Sequence, residues 1–239
     1  MSHPASPTVV FSFFRYRHFL AKLWAFGMMQ FAARSLKRTP GLHFFKLLGS
    51  GRGDGFHPMA DFGVYGLMSV WEKEAAADRF LQQSRLMRRY QRKASEDWHI
   101  FLQPLEIRGA WDGHNPFGSS QSEDTSGPVA VLTRATIRTG RLLRFWREVP
   151  PVSQALEQQP GMICKFGIGE WPLVQMATFS LWEGETAMRE FAYRSRYHRQ
   201  AIANTKKIGW FSEEMYARFR PYRSEGTWGG SDPLQDYLL

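Results

Sequence analysis

The sequence is poor in cysteine and in the motifs that identify common enzyme classes. Cys164 is the only cysteine in 239 residues, which excludes a disulfide framework and a cysteine-only metal cluster. The motifs G-x-S-x-G, G-x-G-x-x-G and H-E-x-x-H are absent, and so is the P-loop. The glycine-rich run 49–55 lies between two predicted strands and not before a helix, so we interpret it as a hairpin loop.

Long hydrophobic runs are also absent. The start, MSHPASPTVV, lacks the basic and apolar regions of a secretory signal. The most apolar stretch, 19–33, contains Lys22 and Gln30 and is too short to span a bilayer, so we interpret it as a core-facing helix. Hydrophobic residues make up 43% of the chain, enough for a sizeable core. We therefore expect a soluble, cytoplasmic protein.

Asp and Glu are fewer than Lys and Arg, so the chain has a net charge of +9 and a pI of about 9.9. This balance indicates an acidic partner, which would be nucleic acid, an anionic membrane surface or an acidic redox protein. The densest basic cluster, 85–93, has the helical spacing typical of a solvated helix face. No zinc-knuckle, helix-turn-helix or RNA-recognition signature accompanies the charge, so we expect no nucleic acid partner.

The two halves of the chain contain matching segments. Residues 62–80 and 174–191 each consist of a β-rich run that ends in Trp-Glu, followed by a helical pattern with a Phe nine residues after the Trp. Pro-Gly precedes a predicted strand in both halves. The matching residues are Trp71 and Trp182, Phe80 and Phe191, the runs 38–49 and 158–169, and the runs 110–113 and 227–230.

Each half shows the order strand, helix, strand, strand, helix, strand. The predicted strands are Val9–Arg17, Leu42–Leu48, Phe62–Trp71, Trp98–Trp111, Val129–Arg138, Met162–Gly167, Val174–Trp182 and Phe219–Trp228, the last preceded by a short segment at Glu213–Arg218. The predicted helices are His18–Lys37, Glu72–Glu96, Leu142–Gln158 (with a Pro-Pro interruption) and Glu185–Lys207.

This order is that of a ferredoxin-like unit, whose sheet has helices on one face only. The other face is apolar and needs cover, which a second unit can provide. We therefore predict an α+β fold in which two tandem ferredoxin-like units form a dimeric α+β barrel within one chain. The halves would be 1–113 and 129–239, joined by the polar linker 114–128. The second half is the candidate for haem binding.

His198 is the histidine best placed to bind a metal. On the predicted helix Glu185–Lys207 it shares a face with Met188 and Phe191, and the residue that matches it in the first half is Met87. A histidine on an apolar helix face is either a hydrogen-bonded core residue or a ligand, and composition leaves both open. As a ligand, its neutral imidazole would bind haem iron. The next histidines to test are His43 and His99.

Arg134 ends the first strand of the second half, as Arg15 does in the first half. Its guanidinium either lies in solvent or points into a pocket, where it would pair with a haem propionate or polarise bound oxygen. The same two alternatives apply to Lys165 and Lys206.

Several segments together resemble the spheroidene monooxygenase family, the carotenoid ketolases of purple photosynthetic bacteria. They are LAKLWAFGMMQFA (20–32), RTPGLHFFKLLGSGRGDGF (38–56), EDWHIFLQPLEIRGAW (96–111), GWFSEEMYARF (209–219) and GTWGGSDPL (226–234). The resemblance extends over nearly the whole chain.

The resemblance implies an O2-dependent monooxygenase that introduces a keto group at C-2 of acyclic carotenoids such as spheroidene. It also implies reduced ferredoxin as electron donor and haem as cofactor, for which His198 and Arg134 are our candidate residues. Oxidation of an unactivated C–H bond does require a cofactor, and a long apolar substrate requires an apolar trough. A basic surface would suit ferredoxin, or peripheral contact with an anionic membrane from which the substrate is drawn.

Two other functions are compatible with the sequence. One is a haem-binding barrel without carotenoid activity, which a carotenoid turnover assay would distinguish. The other is a non-enzymatic binder of an apolar molecule, which the lack of a Soret band would favour.

Overall fold

The computed structural model describes residues 7–52, 59–118, 126–148, 159–194 and 208–238. The strands are β1 (Thr8–Arg15), β2 (Leu42–Gly51), β3 (Ala60–Trp71), β4 (Glu96–Gly109), β5 (Val129–Ile137), β6 (Met162–Trp171), β7 (Gln175–Trp182) and β8 (Phe211–Gly226). The helices are α1 (Phe19–Leu36), α2 (Glu74–Gln83), α3 (Arg85–Lys93), α4 (Leu142–Glu148) and α5 (Glu185–Arg194), with a 3-10 turn at Thr139–Arg141. Within these described ranges, no helix has the length and apolarity needed to span a membrane.

The eight strands form one closed antiparallel barrel in the order β1-β3-β2-β6-β7-β5-β8-β4. The predicted α+β barrel is therefore confirmed. In each half the strands lie in the order fourth, first, third, second. The halves meet at two seams. The β4–β8 seam runs from Trp98 to Gly109, whereas the described part of the β2–β6 seam has only the pairs Gly49–Gly169 and Ser50–Ile168.

The inside of the barrel is a single hydrophobic core to which both halves contribute. Phe13 of β1 stacks on Phe166 of β6 with ring centroids 3.8 Å apart, and Phe11 stacks on Phe179 of β7 at 4.4 Å. All four side chains are buried. Because period-2 alternation puts every second residue of a strand on the same side, these inward positions define the register of each strand.

Helices cover the outer face of each half-sheet. In the first half, α1, α2 and α3 enclose a large second core against β1 and β3. In the second half, the described residues form a smaller cluster of Val129, Val131, Trp182, Met188 and Phe191.

The matched Trp–Phe pairs have the same contacts in both halves. The indole of Trp71 donates a hydrogen bond to the Ser69 hydroxyl (2.9 Å), and its ring lies 5.1 Å from that of Phe80. Trp182 donates to Ser180 (3.0 Å) and lies 5.4 Å from Phe191.

The predicted long helix Glu72–Glu96 is wrong, because the structure has two helices that meet at Ser84. The backbone of Ser84 is extended (ψ 140°), and its hydroxyl accepts a hydrogen bond from the amide of Met87. Serine is a strong N-cap because it satisfies an amide that has no partner within the helix. The apolar periodicity continues through this break and therefore conceals it.

The predicted start of the last strand at Phe219 is also wrong, because β8 already begins at Phe211. Glu213–Arg218 belongs to this strand, with Met215 and Ala217 facing the barrel core. Glu213, Glu214 and Arg218 made the segment look too polar for a strand. Of the predicted helix Leu142–Gln158, the described part is α4, and of Glu185–Lys207 it is α5.

A turn of the same construction follows the last strand of each half, and we call the two turns (110–118 and 227–235) the closing turns. Trp111 pairs with His114, and Trp228 pairs with Ser231. The side-chain oxygens of Asn115 and Asp232 each accept the amide two residues ahead at 2.9 Å, as in an Asx-turn.

These amides belong to Phe117 and Leu234, which are both fully buried in the barrel core. The first residues of the predicted linker 114–128 therefore belong to one end of the barrel.

Candidate functional site

The outer face of the second half-sheet has smaller or more polar side chains than that of the first. The pairs Thr8–Trp71 and Val129–Trp182 align the two registers. The equivalent outward positions are then Phe14 and Ala135, Leu67 and Thr178, Leu47 and Gly167, Tyr65 and Met176, and Phe45 and Lys165. The first-half members pack under α1–α3. This contrast makes the second face the better candidate for a ligand site.

Lys165 is the most unusual residue on this face. Its ammonium nitrogen is buried, and none of the described residues accepts a hydrogen bond from it. An unpaired buried cation is costly unless an anionic group joins it. Its neighbour across the β6–β7 ladder is Ser180, whose hydroxyl accepts from Trp182. The position therefore suits the carboxylate of a bound ligand.

Helix α5 packs on the same face. Phe191 stacks on Trp182, and Met188 lies in a cluster with Val129. The pKa of Glu185, at the start of α5, lies below its ordinary value because Arg218 of β8 hydrogen-bonds to its carboxylate. This ion pair fastens the helix start to the sheet. His198 and Lys206, two of the residues singled out in the sequence, lie outside the described residues.

The described histidines belong to the first half of the chain or to its closing turn. His99 is buried, with Nδ1 2.8 Å from the Ser12 hydroxyl and Nε2 2.9 Å from the Asp97 carboxylate. The hydrogen bond from His99 holds the pKa of Asp97 below its usual range. His18, His43 and His114 are exposed. In the described ranges, no cluster of three His, Cys, Asp or Glu residues could hold a metal ion.

Arg134 lies inside the barrel and not in solvent. Its side chain is 2% exposed and forms ion pairs with Glu213 and with Glu170 (3.5 Å), and its guanidinium carbon lies 5.4 Å from the centroid of the Trp111 ring. Because β5 alternates, this inward position is on the opposite side of the sheet from α5. The structure therefore does not bring Arg134 to the face on which α5 packs.

A second, partly buried cation shares Glu170 with Arg134. Lys46 of β2 forms ion pairs with Glu170 and with Asp112 (2.7 Å). By register, Arg134 is equivalent to Phe13, and Lys46 is equivalent to Phe166. The two halves therefore differ here as well, because two cations bridged by Glu170 occupy the positions of the Phe13–Phe166 stack.

Both barrel ends share one motif. Arg15 pairs with Glu96 and lies 4.1 Å from the ring of Trp228, and Glu96 accepts the amide of Gly230 at 2.7 Å. At the other end, Glu213 accepts the amide of Gly113 at 2.7 Å.

Burial acts to raise the pKa of Glu213, but the hydrogen bonds from Gly113 and Arg134 outweigh it and hold the pKa below its ordinary value. Each closing turn is thus fixed to the first and last strands of the opposite half.

Comparison with known proteins decides the family. The chain matches no protein-family model. It is 36% identical to a protein of Cereibacter sphaeroides over 97% of this chain and 72% of the relative. It is 37% identical to a protein of Rhodobacter capsulatus over 98% of both chains, and 38% identical to one of Rubrivivax gelatinosus over 88% and 80%. All three relatives are named spheroidene monooxygenase.

The chain belongs to the spheroidene monooxygenase family. The resemblance seen in the sequence is therefore confirmed.

Two solved structures of aldoxime dehydratase have the same fold as this chain. One of them is a complex with butyraldoxime. Their TM-scores are 0.61 and 0.63, at 12% and 10% identity, over 92% and 94% of this chain and 83% and 84% of theirs. At this identity the likeness shows the fold alone.

Sequence reasoning missed Lys46, Glu170 and Glu213. A signal was available, because Lys46 interrupts the apolar strand sequence LHFFKLL at a position that alternates with Phe44 and Leu48. A charged residue at an inward strand position requires a buried partner. The partners of Lys46 are Glu170 of β6 and Asp112 of the first closing turn, and only the closed barrel brings Glu170 near.

Proposed function

We propose that this protein is an O2-dependent monooxygenase that acts on acyclic carotenoids such as spheroidene and introduces a keto group at C-2. The observation that supports this most strongly is the 36–38% identity to three proteins named spheroidene monooxygenase. We propose reduced ferredoxin as the electron donor and haem as the cofactor. An anionic membrane is the proposed source of the substrate.

The outer face of the second half-sheet is the proposed haem site. His198 would hold the iron through a neutral imidazole, and the buried ammonium of Lys165 would pair with a propionate. Gly167, Thr178 and Ala135 have small side chains, whereas the equivalent positions of the first half-sheet have bulky side chains. The small side chains favour a flat ligand between the second half-sheet and α5. When bound, haem supplies the oxidising power that no side chain has.

The protein's own residues would orient the reactants and exclude water. Trp182, Met188 and Phe191 form an apolar wall at one end of the face. Such a wall suits a polyene, which needs shape and few polar contacts. For Arg134, haem binding stays a prediction, and its described contacts support a role in the barrel end instead.

The optical spectrum of protein expressed with a haem supply tests this site. We expect a Soret band that His198→Ala abolishes or greatly weakens while the fold survives. The matched control is His43→Ala, at an exposed position, which should keep the band. If His198→Ala binds haem with an unchanged spectrum, the assignment is wrong.

A carotenoid turnover assay tests the activity separately. Product formation from spheroidene, dependent on O2 and reduced ferredoxin, is expected. A Soret band without turnover would favour a haem-binding barrel of other function. The lack of any Soret band would favour a binder of apolar molecules.

We also propose that residues 1–113 and 129–239 are two ferredoxin-like units in tandem. The shared strand order, the matched Trp–Phe contacts and the two closing turns support this division. An experimental structure should superpose Trp71 on Trp182 and Phe80 on Phe191 when the halves are overlaid. A poor overlay of these pairs would contradict it.

A further inference from the structure

Helix α1 has two apolar faces, of which only one is covered. Ala25, Met28, Ala32 and Leu36 pack against the first half-sheet. On the opposite side, the exposed fractions lie between 56% and 76% for Phe19, Leu20, Leu23, Phe26 and Phe31. The row extends beyond the helix, because Phe26 contacts Phe62 at the start of β3, which is itself 52% exposed. So many large apolar side chains together mark an interaction surface.

Helix α3 provides a row of cations next to this apolar row. Its exposed positions are Arg85, Arg88, Arg89, Arg92 and Lys93, and no described carboxylate forms an ion pair with any of them. Trp24 of α1 joins the two helices, since its ring lies 5.2 Å from that of Tyr90 and 5.4 Å from the Lys93 ammonium. Both helices lie on the same face of the first half-sheet, so their outer sides point the same way.

The charge around the apolar row is mainly positive, although Asp61 precedes Phe62. Residues 7–52 contain eight Lys or Arg residues and no Asp or Glu, and residues 79–95 also lack carboxylates. Exposed apolar side chains combined with uncompensated cations are characteristic of helices that lie in the headgroup region of an anionic bilayer.

We propose that the α1–α3 face, defined by the exposed residues of these two helices, docks onto an anionic lipid bilayer. Phe19, Leu20, Leu23, Phe26 and Phe31 would enter the headgroup region, and the α3 cations would contact lipid phosphates. This deepens the proposed function, because a carotenoid is drawn from a membrane, but the geometry stands without it. The face lies on the half of the molecule opposite to the proposed haem site.

Two other occupants fit less well. A second copy of this chain would bring the same cations face to face, which like-charge repulsion opposes. An acidic soluble protein would match the α3 cations but would leave the row of protruding apolar side chains without a complement.

Sedimentation with vesicles tests the docking without haem or turnover. The protein should bind vesicles that contain phosphatidylglycerol, bind pure phosphatidylcholine weakly, and dissociate as salt rises. The variant Arg88→Gln/Arg89→Gln/Arg92→Gln should lose about a hundredfold in affinity, at roughly fivefold per cation. The apolar variant Leu20→Ser/Leu23→Ser/Phe26→Ser should lose binding even at low salt.

The matched control is Leu143→Ser/Trp171→Ser, which removes side chains of similar exposure from the second half. It should bind as the wild type does. An equal loss in this control, or no binding of the wild type to either vesicle, would overturn the proposal. Binding to an acidic ferredoxin through these residues, without vesicle binding, would overturn it in favour of a protein partner.

A fluorescent label gives a direct readout of insertion. Cys164 packs against the barrel core, and burial raises the pKa of its thiol, so Leu23→Cys would be labelled selectively with an environment-sensitive dye. Its emission should shift to the blue with phosphatidylglycerol vesicles, whereas the same dye at Leu143→Cys should not respond. An equal response at both positions, or none at Leu23→Cys, would contradict docking through α1.

Discussion

At the scale of single residues, the cations inside the barrel are the least expected feature. Arg134 is 2% exposed, and its loss would leave Glu213 without its ion-pair partner, whereas Glu170 would keep Lys46. Removing one member of a buried ion pair costs about 3–5 kcal/mol. Arg134→Met should therefore lower the free energy of unfolding by about this amount in urea titrations.

The control is Arg15→Met at the other barrel end, where the side chain is 29% exposed and the loss should be smaller. An equal or larger loss at Arg15 would contradict this account. A haem spectrum of Arg134→Met, taken where the variant is folded, tests its predicted role toward a propionate independently of stability.

A substitution at Lys165 should change two quantities in opposite directions, the stability of the ligand-free protein and its affinity for haem. Its ammonium has no hydrogen-bond partner among the described residues, so replacing it by the methyl group of Met should raise the free energy of unfolding of ligand-free protein by about 1 kcal/mol or more. The same change should weaken haem binding in a titration followed at the Soret band. Lys37→Met, at an exposed position of the chain, should do neither. A drop in stability of Lys165→Met would show that the ammonium has a partner.

Glu213 predicts a defined response to acid. Its folded pKa lies below the value of about 4.3 found for unfolded glutamate. Its contribution to stability is therefore present above that unfolded value and is lost as the pH falls through the folded pKa.

Glu213→Gln should accordingly flatten the dependence of unfolding free energy on pH below about pH 5. The comparison is Glu214→Gln, which removes the exposed carboxylate next in sequence. Identical pH profiles for the wild type and Glu213→Gln would rule out this contribution.

At the scale of elements, Ser84 decides where one helix becomes two. Ser84→Ala would leave the Met87 amide without its cap, at a cost of about 1 kcal/mol. The measurement is the urea midpoint, with Ser35→Ala, at an exposed position within α1, as control. A cost no greater than that of the control would mean that packing of Leu86 and Tyr90 alone sets the break.

Gly109, the last residue of β4, and Gly113 of the first closing turn allow backbone strain to be distinguished from steric contact. Both have positive φ (84° and 79°), so alanine is strained at either position. A Cβ at Gly109 would lie 2.1 Å from the Glu214 carbonyl oxygen, whereas at Gly113 it would meet nothing within 4 Å. Gly113→Ala should cost about 1 kcal/mol, and Gly109→Ala clearly more, in thermal unfolding. Equal costs would mean that the turn moves aside freely.

Local sequence patterns predicted most strands and helices, because apolar residues recur with a period of about 2 in a strand and about 3.6 in a helix. The residues matched between the halves, Trp71 with Trp182 and Phe80 with Phe191, make the same Trp–Phe contact in each half. The predictions that failed have two causes. The break at Ser84 is a local cap that the continuing apolar periodicity conceals, whereas the start of β8 is decided by neighbours that are distant in sequence. The strand that contains Glu213 has polar residues at alternate positions, and only its partner strands β4 and β5 make it a strand.

At the scale of the whole molecule, the two seams differ in strength. The ladder between β4 and β8 is long, whereas that between β2 and β6 consists of two pairs in the described part. Amide hydrogens of Ser50 and Ile168 should therefore exchange faster than those of Ile100 and Phe101. Hydrogen exchange followed by mass spectrometry measures this. Equal protection at both seams would show that the barrel opens only by global unfolding.

The site was less predictable than the fold. The helical periodicity around His198 and the comparison of the two halves indicated the second half as the candidate for haem binding. The smaller outward residues of that half, such as Gly167 and Thr178, support this choice. The sequence left two alternatives for Arg134, a position in solvent or one in a pocket. That its side chain points into the barrel follows from closure of the barrel, which no local sequence pattern predicts. For Lys165 a pocket position was also one of two alternatives, and the lack of a hydrogen-bond partner among the described residues favours it.

The reciprocal closing turns have a consequence for how the protein is made. Phe11 and Phe13 of the first half are covered by residues 166 and 179, and the core also includes Leu234. During translation, the apolar inner face of the first half-sheet therefore stays uncovered until the last part of the barrel has left the ribosome. At about 10 residues per second this delay is roughly ten seconds, long enough for a chaperone to bind a nascent chain. The barrel core is thus complete only after Leu234 has left the ribosome.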